Sequence, residues 1–361
     1  MNVAIACGGT GGHLFPGIAV AEVLQARGHQ VLLLISEKPV DATAVRDRTE
    51  FRIERIPAIG LPRLVSADLP RFAFKAVKGF ARCQRVYRDF QPQAVLGMGG
   101  FTSTAPILAG RVRRLPTFVH ESNAIPGKAN RLNARLASRV LVGFEDCRRF
   151  FPRARVEVTG TPVRASLRST VDCAAARRDL GLKTDFQTVL IMGGSQGAHG
   201  INQATLATLT RFAGRPVQFI HLTGTQDQNS VSESYKSAGI PAFVGAFYHR
   251  MQDVYGAADL AVARSGAASL AELAYFGVPS VLIPFPYAAE NHQLLNAEIF
   301  ARQGAAEVIQ EARVDKDTLG SLIDRLLADG AGRRQMAARM RALAPQDSAE
   351  RIARLIETSV K

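Results

Sequence analysis

The sequence predicts an α/β protein made of two doubly wound parallel-sheet domains, and three observations carry that reading. Short apolar runs bounded by Gly or Pro alternate with helix-length stretches along most of the 361 residues, the pattern of parallel sheets covered by helices on both faces. Two glycine-rich turns of nearly one design, Gly8-Gly9-Thr10-Gly11-Gly12-His13 and Gly193-Gly194-Ser195-Gln196-Gly197-Ala198, lie half a chain apart, each between an apolar run and a helical stretch. The chain is 47% hydrophobic and 21% charged, and its length leaves room for two domains with a sizeable core in each.

In the first half, strands are expected at Val3–Ala6, Gln30–Ile35, Ala94–Met98, Thr117–His120 and Arg139–Val142, with helices in most gaps. Pro16 suits an early helical position and Gly28 the stop of that helix. Thr159-Gly160-Thr161-Pro162 separates two complete alternating units, so the domains are set at 1–162 and 163–344. The second half repeats the pattern with strands at Thr188–Met192, Val217–Leu222, Ala242–Val244, Leu260–Ala263 and Ser280–Pro284, and helices at Asn202–Leu209, Ser269–Phe276 and Glu290–Arg302. After Leu327 the chain reads as helical and Arg-rich until Ala344-Pro345. A last helix from Ser348, within 345–361, is expected to return to the first domain.

No apolar stretch approaches the roughly 18 to 20 residues that span a bilayer. Met1-Asn2-Val3 runs into the first strand without a basic leader or cleavage site, so the cytosolic side is expected. Cys7, Cys83, Cys147 and Cys173 include no C-x-x-C pair, which argues against a disulfide framework or a zinc site. The net charge of +14 is uneven: residues 1–162 hold 24 Lys and Arg against 12 Asp and Glu, the remainder 21 against 19. Such a field draws nucleic acid, anionic lipid or an anionic substrate. Aromatic stacking residues or a reading helix for nucleic acid are not evident.

Both glycine turns place backbone N–H groups at a helix N-terminus, which favours a bound anion. Neither fits G-x-G-x-x-G, and no acidic residue closes the second strand, so a nicotinamide enzyme is disfavoured. His13 ends the first turn at a strand's carboxyl edge, where it is either a general base for a hydroxyl or a cap that orients the loop. In Arg264-Ser265-Gly266-Ala267-Ala268-Ser269-Leu270-Ala271-Glu272, small residues again open a helix toward an anion. Arg264 there either neutralises a diphosphate or pairs with a carboxylate. Glu272 either accepts ribose hydroxyls or closes a capping box with Ser269. The cluster Glu290-Asn291-His292-Gln293 with Asn296, and His120-Glu121-Ser122-Asn123 in the first half, offer the mixed donors and acceptors a sugar requires. Asp315-Lys316-Asp317 reads as a helix cap, not as a metal-binding D-x-D.

In this order the pieces closely resemble the bacterial lipid II-forming N-acetylglucosaminyltransferases, peptidoglycan glycosyltransferase family 28. The resemblance spans nearly the whole chain, through GGTGGHLFPG at 8–17, HESNAIPGKAN at 120–130, TGTPVR at 159–164, GGSQGA at 193–198, RSGAASLAE at 264–272 and HQLLNA at 292–297. Ser122 and Ala268 depart from the residues expected there, glutamine and a larger apolar side chain. The resemblance implies a GT-B fold, two Rossmann-like domains facing a cleft, and inverting, metal-independent transfer from UDP-GlcNAc to lipid I with no cofactor. It implies donor contacts from Thr10, Gly11, Gly12 and Asn123, with Arg164 at the hinge. It further places Ser195 on a phosphate, Tyr248 by the uracil, Ala267, Ala268, Ser269, Leu270, Ala271 and Glu272 on diphosphate and ribose, and His292 and Gln293 near the sugar, with Arg264 neutralising charge and His13 as base.

The basic first half gains a reading from the same resemblance. Leu69, Phe72, Ala76, Phe80, Cys83, Tyr87 and Phe90 form one helical face, with Arg71, Lys75, Lys78, Arg82, Arg85 and Arg88 off it. This is either a core-packed helix with a solvated face or, with Arg111 to Arg114, a surface resting on anionic inner-leaflet lipids at the cytoplasmic face of the membrane. Cell-wall and division machinery are the protein partners the resemblance implies. Rival readings are a UDP-GlcNAc 2-epimerase-like enzyme on the same fold and a nucleotide-sensing binding protein.

Overall fold

The computed structural model describes residues 1–38, 41, 45, 46, 48–57, 69–169, 171–194 and 197–360. Contacts divide the chain into one unit of Met1–Ala165 with Pro345–Lys361 and a second of Ser166–Ala344.

The first unit holds a seven-stranded, wholly parallel sheet. In chain order its strands are β1 Asn2–Ala6, β2 Gln30–Ile35, β3 Arg52–Arg55, β4 Ala94–Gly97, β5 Thr117–Glu121, β6 Arg139–Val142 and β7 Val156–Val158, arranged β3-β2-β1-β4-β5-β6-β7. Alternate residues of β1 serve opposite faces, as the pleat requires. Val3 and Ile5 join the core under helix α1 (Gly11–Ala26), whereas Ala4 and Ala6 face helix α2 (Leu69–Phe90) and Ala109 of helix α3 (Thr104–Val112). Covered on both sides, β1 is apolar throughout. The helix Ser348–Glu357 lies on α1, with Ile352, Ala353 and Ile356 fully buried in the first unit's core. Glu357 pairs there with Arg27 at 2.8 Å and His29 at 2.9 Å.

Two local expectations change. Helix α1 starts at Gly11, so Pro16 sits in its second turn, where it cannot donate to the Gly12 carbonyl. Helix α2 buries its expected face only from its middle onward: Cys83, Tyr87 and Phe90 are buried, while Ala76 is exposed. The side chain of Leu69 lies outside the described residues. No helix among the described residues is long and apolar enough to cross a membrane.

The second unit repeats the plan with six parallel strands, β8 Gln187–Met192, β9 Val217–Leu222, β10 Ala242–Gly245, β11 Leu260–Ala263, β12 Ser280–Leu282 and β13 Ala306–Val308, ordered β10-β9-β8-β11-β12-β13. Its helices near the site are α4 His199–Thr208, α5 Met251–Ala257, α6 Ala267–Phe276 and α7 His292–Arg302. α7 follows a short turn in which Glu290 and Asn291 take left-handed backbone, so the helix begins two residues later than expected. Asp315 caps the helix Lys316–Ala328, its Oδ1 accepting from the N–H groups of Asp317 and Thr318 at 3.0 and 2.7 Å.

Candidate active site

In each unit the strand order reverses beside the strand that feeds a glycine turn: between β1 and β4 in the first, between β8 and β11 in the second. Such switch points open a crevice at the carboxyl ends of the strands, where doubly wound sheets hold ligands.

In the first unit, Thr10 is the N-cap of α1 in extended backbone and makes no side-chain cap. Its hydroxyl instead lies 3.3 Å from His13 Nδ1. The His13 ring lies against the turn after β4: a Cβ on Gly99 would come within 2.9 Å of Cδ2 and Nε2, and one on Gly100 within 3.3 Å of Cε1 and Nδ1. Both glycines have left-handed φ, +113° and +68°. The glycine turn is fixed from behind by the buried Asp41, whose Oδ2 accepts from Gly9 N–H at 2.7 Å and from the Ser36 N–H and hydroxyl at 3.1 and 2.5 Å.

After β5, the Glu121 carboxylate is buried and organises the next loop. Its Oε1 accepts from the Asn123 backbone N–H at 2.9 Å and side-chain amide at 3.0 Å. Its Oε2 accepts from Gly127 N–H at 3.1 Å and Asn130 Nδ2 at 2.9 Å. Burial raises the Glu121 pKa above the usual carboxylate range, and these four donors oppose that rise. Buried His120 titrates at about 4, lowered by desolvation first and also by the charge of His13; the Gly160 carbonyl, which accepts from its Nε2 at 2.9 Å, opposes the shift. Arg164 stacks on the Phe15 ring at 4.2 Å.

In the second unit, the turn after β8 contains Gly194 and Gly197 at φ +97° and +77°; Ser195, expected on a phosphate, lies outside the described residues. Helix α6 begins at Ala267 behind Gly266, with no side-chain cap, so its first N–H groups face the end of β11. Glu272 does not close a capping box: its Oε2 accepts from the Tyr255 hydroxyl at 2.7 Å. Ser269 stands inside the helix, where it cannot be the N-cap.

Arg264 is paired with a carboxylate. It forms a bidentate pair with Glu311 at 2.9 and 3.0 Å, and its Nη1 also reaches the Ile283 and Pro284 carbonyls at 3.1 and 3.2 Å. Gln293 turns its Oε1 to the Phe285 N–H at 3.0 Å, while its backbone carbonyl accepts from Ser265 at 2.7 Å. His292 donates from Nδ1 to the Ala289 carbonyl at 2.8 Å. Tyr248 stands edge-on to Phe243, ring centroids 5.3 Å apart.

The fold thus gathers Thr10 to His13 with Gly99 and Gly100 in one unit, and Arg264 to Glu272 with His292 and Gln293 in the other. Gly99, Asp41, Tyr255 and Glu311 have roles that the sequence reading does not assign. Gly99-Gly100 follows an apolar run and was legible as a third glycine turn. The other three carry no local signature, because the site residues they hold, Gly9, Glu272 and Arg264, are distant from them in sequence.

The glycosyltransferase family 28 N-terminal domain matches residues 3–142, and the family 28 C-terminal domain matches residues 188–352. A UDP-N-acetylglucosamine--N-acetylmuramyl-(pentapeptide) pyrophosphoryl-undecaprenol N-acetylglucosamine transferase of Geobacter metallireducens is 37% identical over 99% of both chains. Its counterpart in Halothermothrix orenii is 33% identical over 100% of both. Among solved structures, MurG of Acinetobacter baumannii superposes with a TM-score of 0.78 at 28% identity, covering 99% of this chain and 100% of that one. The UDP-GlcNAc 2-epimerase of Neisseria meningitidis, covering 99% and 100%, reaches 0.69 at 14% identity, a likeness of fold alone. Because both family domains match in order and relatives above 30% identity run the length of the chain, it belongs to glycosyltransferase family 28, among the N-acetylglucosaminyltransferases of lipid II synthesis.

Proposed function

We propose that this enzyme transfers N-acetylglucosamine from UDP-GlcNAc to the 4-hydroxyl of the N-acetylmuramoyl unit of lipid I, yielding lipid II and UDP. The observation that carries the reading is the end-to-end likeness to relatives named for this transfer. The donor site is read onto the switch point of the second unit. The helix-start N–H groups of α6 that the helix itself does not use, those of Ala267, Ala268 and Ser269, meet the diphosphate, with Leu270 and Ala271 completing the turn behind them and Ser195 on a phosphate oxygen. Glu272, oriented by Tyr255, accepts the ribose hydroxyls. Tyr248 stands by the uracil, and Gln293 keeps its amide nitrogen for the sugar beside His292. Arg264 contributes by holding the strand ends in place. Thr10, Gly11, Gly12, Asn123 and Arg164 complete the donor contacts.

His13 is the general base of this reading. Its imidazole takes the proton of the acceptor hydroxyl, the freed oxygen bonds to the anomeric carbon, and the bond to the UDP oxygen breaks with inversion. The charge that develops on the leaving diphosphate is met by helix N–H groups, which supply this stabilisation without a cation. The close fit of the His13 ring to Gly99 and Gly100, with the Thr10 hydroxyl at its Nδ1, supports a fixed orientation.

The acceptor is membrane-bound, and the first unit carries a surface suited to an anionic inner leaflet. Phe74 and Val77 of α2 and Val112 of α3 are more than 60% exposed, on two helices that pack together. Lys75, Lys78, Arg111 and Arg114 lie among them in sequence. Each basic residue near such a surface adds about 1 kcal/mol. Peripheral attachment at the cytoplasmic face brings the enzyme to lipid I and to the wall and division machinery.

The test is transfer of labelled GlcNAc from UDP-GlcNAc to lipid I, with and without chelator. Absence of labelled lipid defeats the reading, and loss of activity with chelator defeats its metal-independent form. His13→Ala is expected to lower turnover about a hundredfold or more with donor KM near the parent's; unchanged turnover removes His13 from the role. Binding to anionic vesicles is expected to weaken with salt and with Lys75→Glu/Lys78→Glu, and indifference to both rejects the membrane surface.

A further inference from the structure

We propose that Glu311 is a positioning residue for the donor. Through Arg264 on one side and the first turn of α4 on the other, it registers the strand ends and the glycine turn that form the diphosphate site. The inference rests on the donor-site reading given above.

Glu311 opens a short turn after β13, away from either glycine turn in sequence. Its two oxygens clasp the Arg264 guanidinium at 2.9 and 3.0 Å. Arg264 is 7% exposed and also holds the carbonyls of Ile283 and Pro284, so the pair joins the ends of β11 and β12 to the segment after β13. A guanidinium buried this far keeps its partner, because losing it leaves an uncompensated charge. The carboxylate is therefore held in place.

Its other neighbour is Gly200, the second residue of α4. A Cβ there would overlap Glu311 Oε1 and stand 3.1 Å from its Cδ. The φ of Gly200 is not left-handed, so its backbone does not call for glycine, and alanine is the better helix former at such a position. The missing side chain is explained by the carboxylate that occupies its space. A free glutamate would swing aside at little cost, but this one is clasped by Arg264, so a methyl at Gly200 is transmitted to the strand ends. Glu311 in this way couples the helix behind Gly193–Ala198 to the Arg264-Ser265-Gly266 turn that opens α6, the two loops flanking the switch point.

The experiment uses the full-length enzyme with UDP-GlcNAc and lipid I, reading KM for each substrate, kcat and the melting temperature. Gly200→Ala is expected to raise donor KM about tenfold by misplacing the phosphate-facing loops, with lipid I KM within about twofold. Glu311→Asp keeps the charge for Arg264 but withdraws it from Gly200 by one methylene. That variant also raises donor KM, and the double variant should be no worse than Glu311→Asp alone, since the added methyl then has nothing to strike. A donor KM unmoved in Gly200→Ala, penalties that multiply in the double variant, or a comparable rise in both KM values together with a fall in melting temperature would each overturn the proposal. Glu272→Gln, read in parallel, separates the two failures. If it leaves donor KM unchanged, the donor-site reading fails. If it raises donor KM while Gly200→Ala does not, only the role of Glu311 fails.

Discussion

Replacing Glu121 with glutamine tests whether one buried carboxylate holds the loop that carries Asn123. Two donors converge on each oxygen: the backbone and side-chain N–H groups of Asn123 on Oε1, and Gly127 N–H with Asn130 Nδ2 on Oε2. Glutamine changes one acceptor into a donor, so two of the four bonds become donor against donor whichever way the amide turns. Hydrogen bonds to a charged acceptor contribute about 1.5 to 3 kcal/mol each, so losing two costs about 3 to 6 kcal/mol. Part is returned because a neutral amide is easier to bury than a carboxylate, the same desolvation that raises the pKa of Glu121. A net local loss of about 3 kcal/mol remains. The loss is confined to one loop, so the assay is native-state hydrogen exchange, which reads amides one by one. The Asn123 and Gly127 amides are expected to exchange about a hundredfold faster, while those of β8 and β9 in the other unit stay at the parent rate. Exchange within about threefold of the parent at Asn123 and Gly127 would refute the clamp.

Three further outcomes follow from the geometry. Gly99→Ala puts a methyl against the His13 ring and forces a side chain into φ +113°; turnover should fall about a hundredfold with donor KM little changed, and retained kcat would show that the ring is not seated there. Ile352→Ala opens a cavity beneath the C-terminal helix, where Ile352 is fully buried, and should destabilise the first unit by about 2 to 4 kcal/mol in denaturant titrations that follow β1 amides. Buried His221 titrates at about 3, lowered by desolvation, with the Asp227 charge opposing. Between its ordinary value near 6.5 and that folded value the unfolded chain takes up the proton first, so stability declines as pH falls. At pH 5 the loss is about 2 kcal/mol, and a flat stability profile from pH 7 to 5 in the second unit's exchange rates would contradict it.

The central architecture was legible in the sequence because its central strands are buried on both faces. Runs such as Val31-Leu32-Leu33-Leu34-Ile35 have no polar phase to obscure them. The strands absent from the sequence reading, β3, β7 and β13, all stand at sheet edges. Arg52-Ile53-Glu54-Arg55, Val156-Glu157-Val158 and Ala306-Glu307-Val308 carry charges and no apolar run, as edge strands do. Helix ends were also less legible than helix bodies. His199 opens its helix behind Ala198, without the Ser, Thr, Asp or Asn cap that marks a start, as Asp315 does for Lys316–Ala328.

By itself the sequence determined the class of fold, the two glycine turns and the set of polar residues after each strand, because these depend on local periodicity and on contacts within a few residues. Only the tertiary structure decided what those residues do to one another. It turned Arg264 to Glu311, Glu272 to Tyr255, Gly9 to Asp41 and the His13 ring onto Gly99, in each case pairing groups between 17 and 86 positions apart. A parallel sheet brings distant strand ends to one edge, and a buried charge or donor there must find its partner across that edge. Residue type announces the need for a partner, and topology selects which one is within reach.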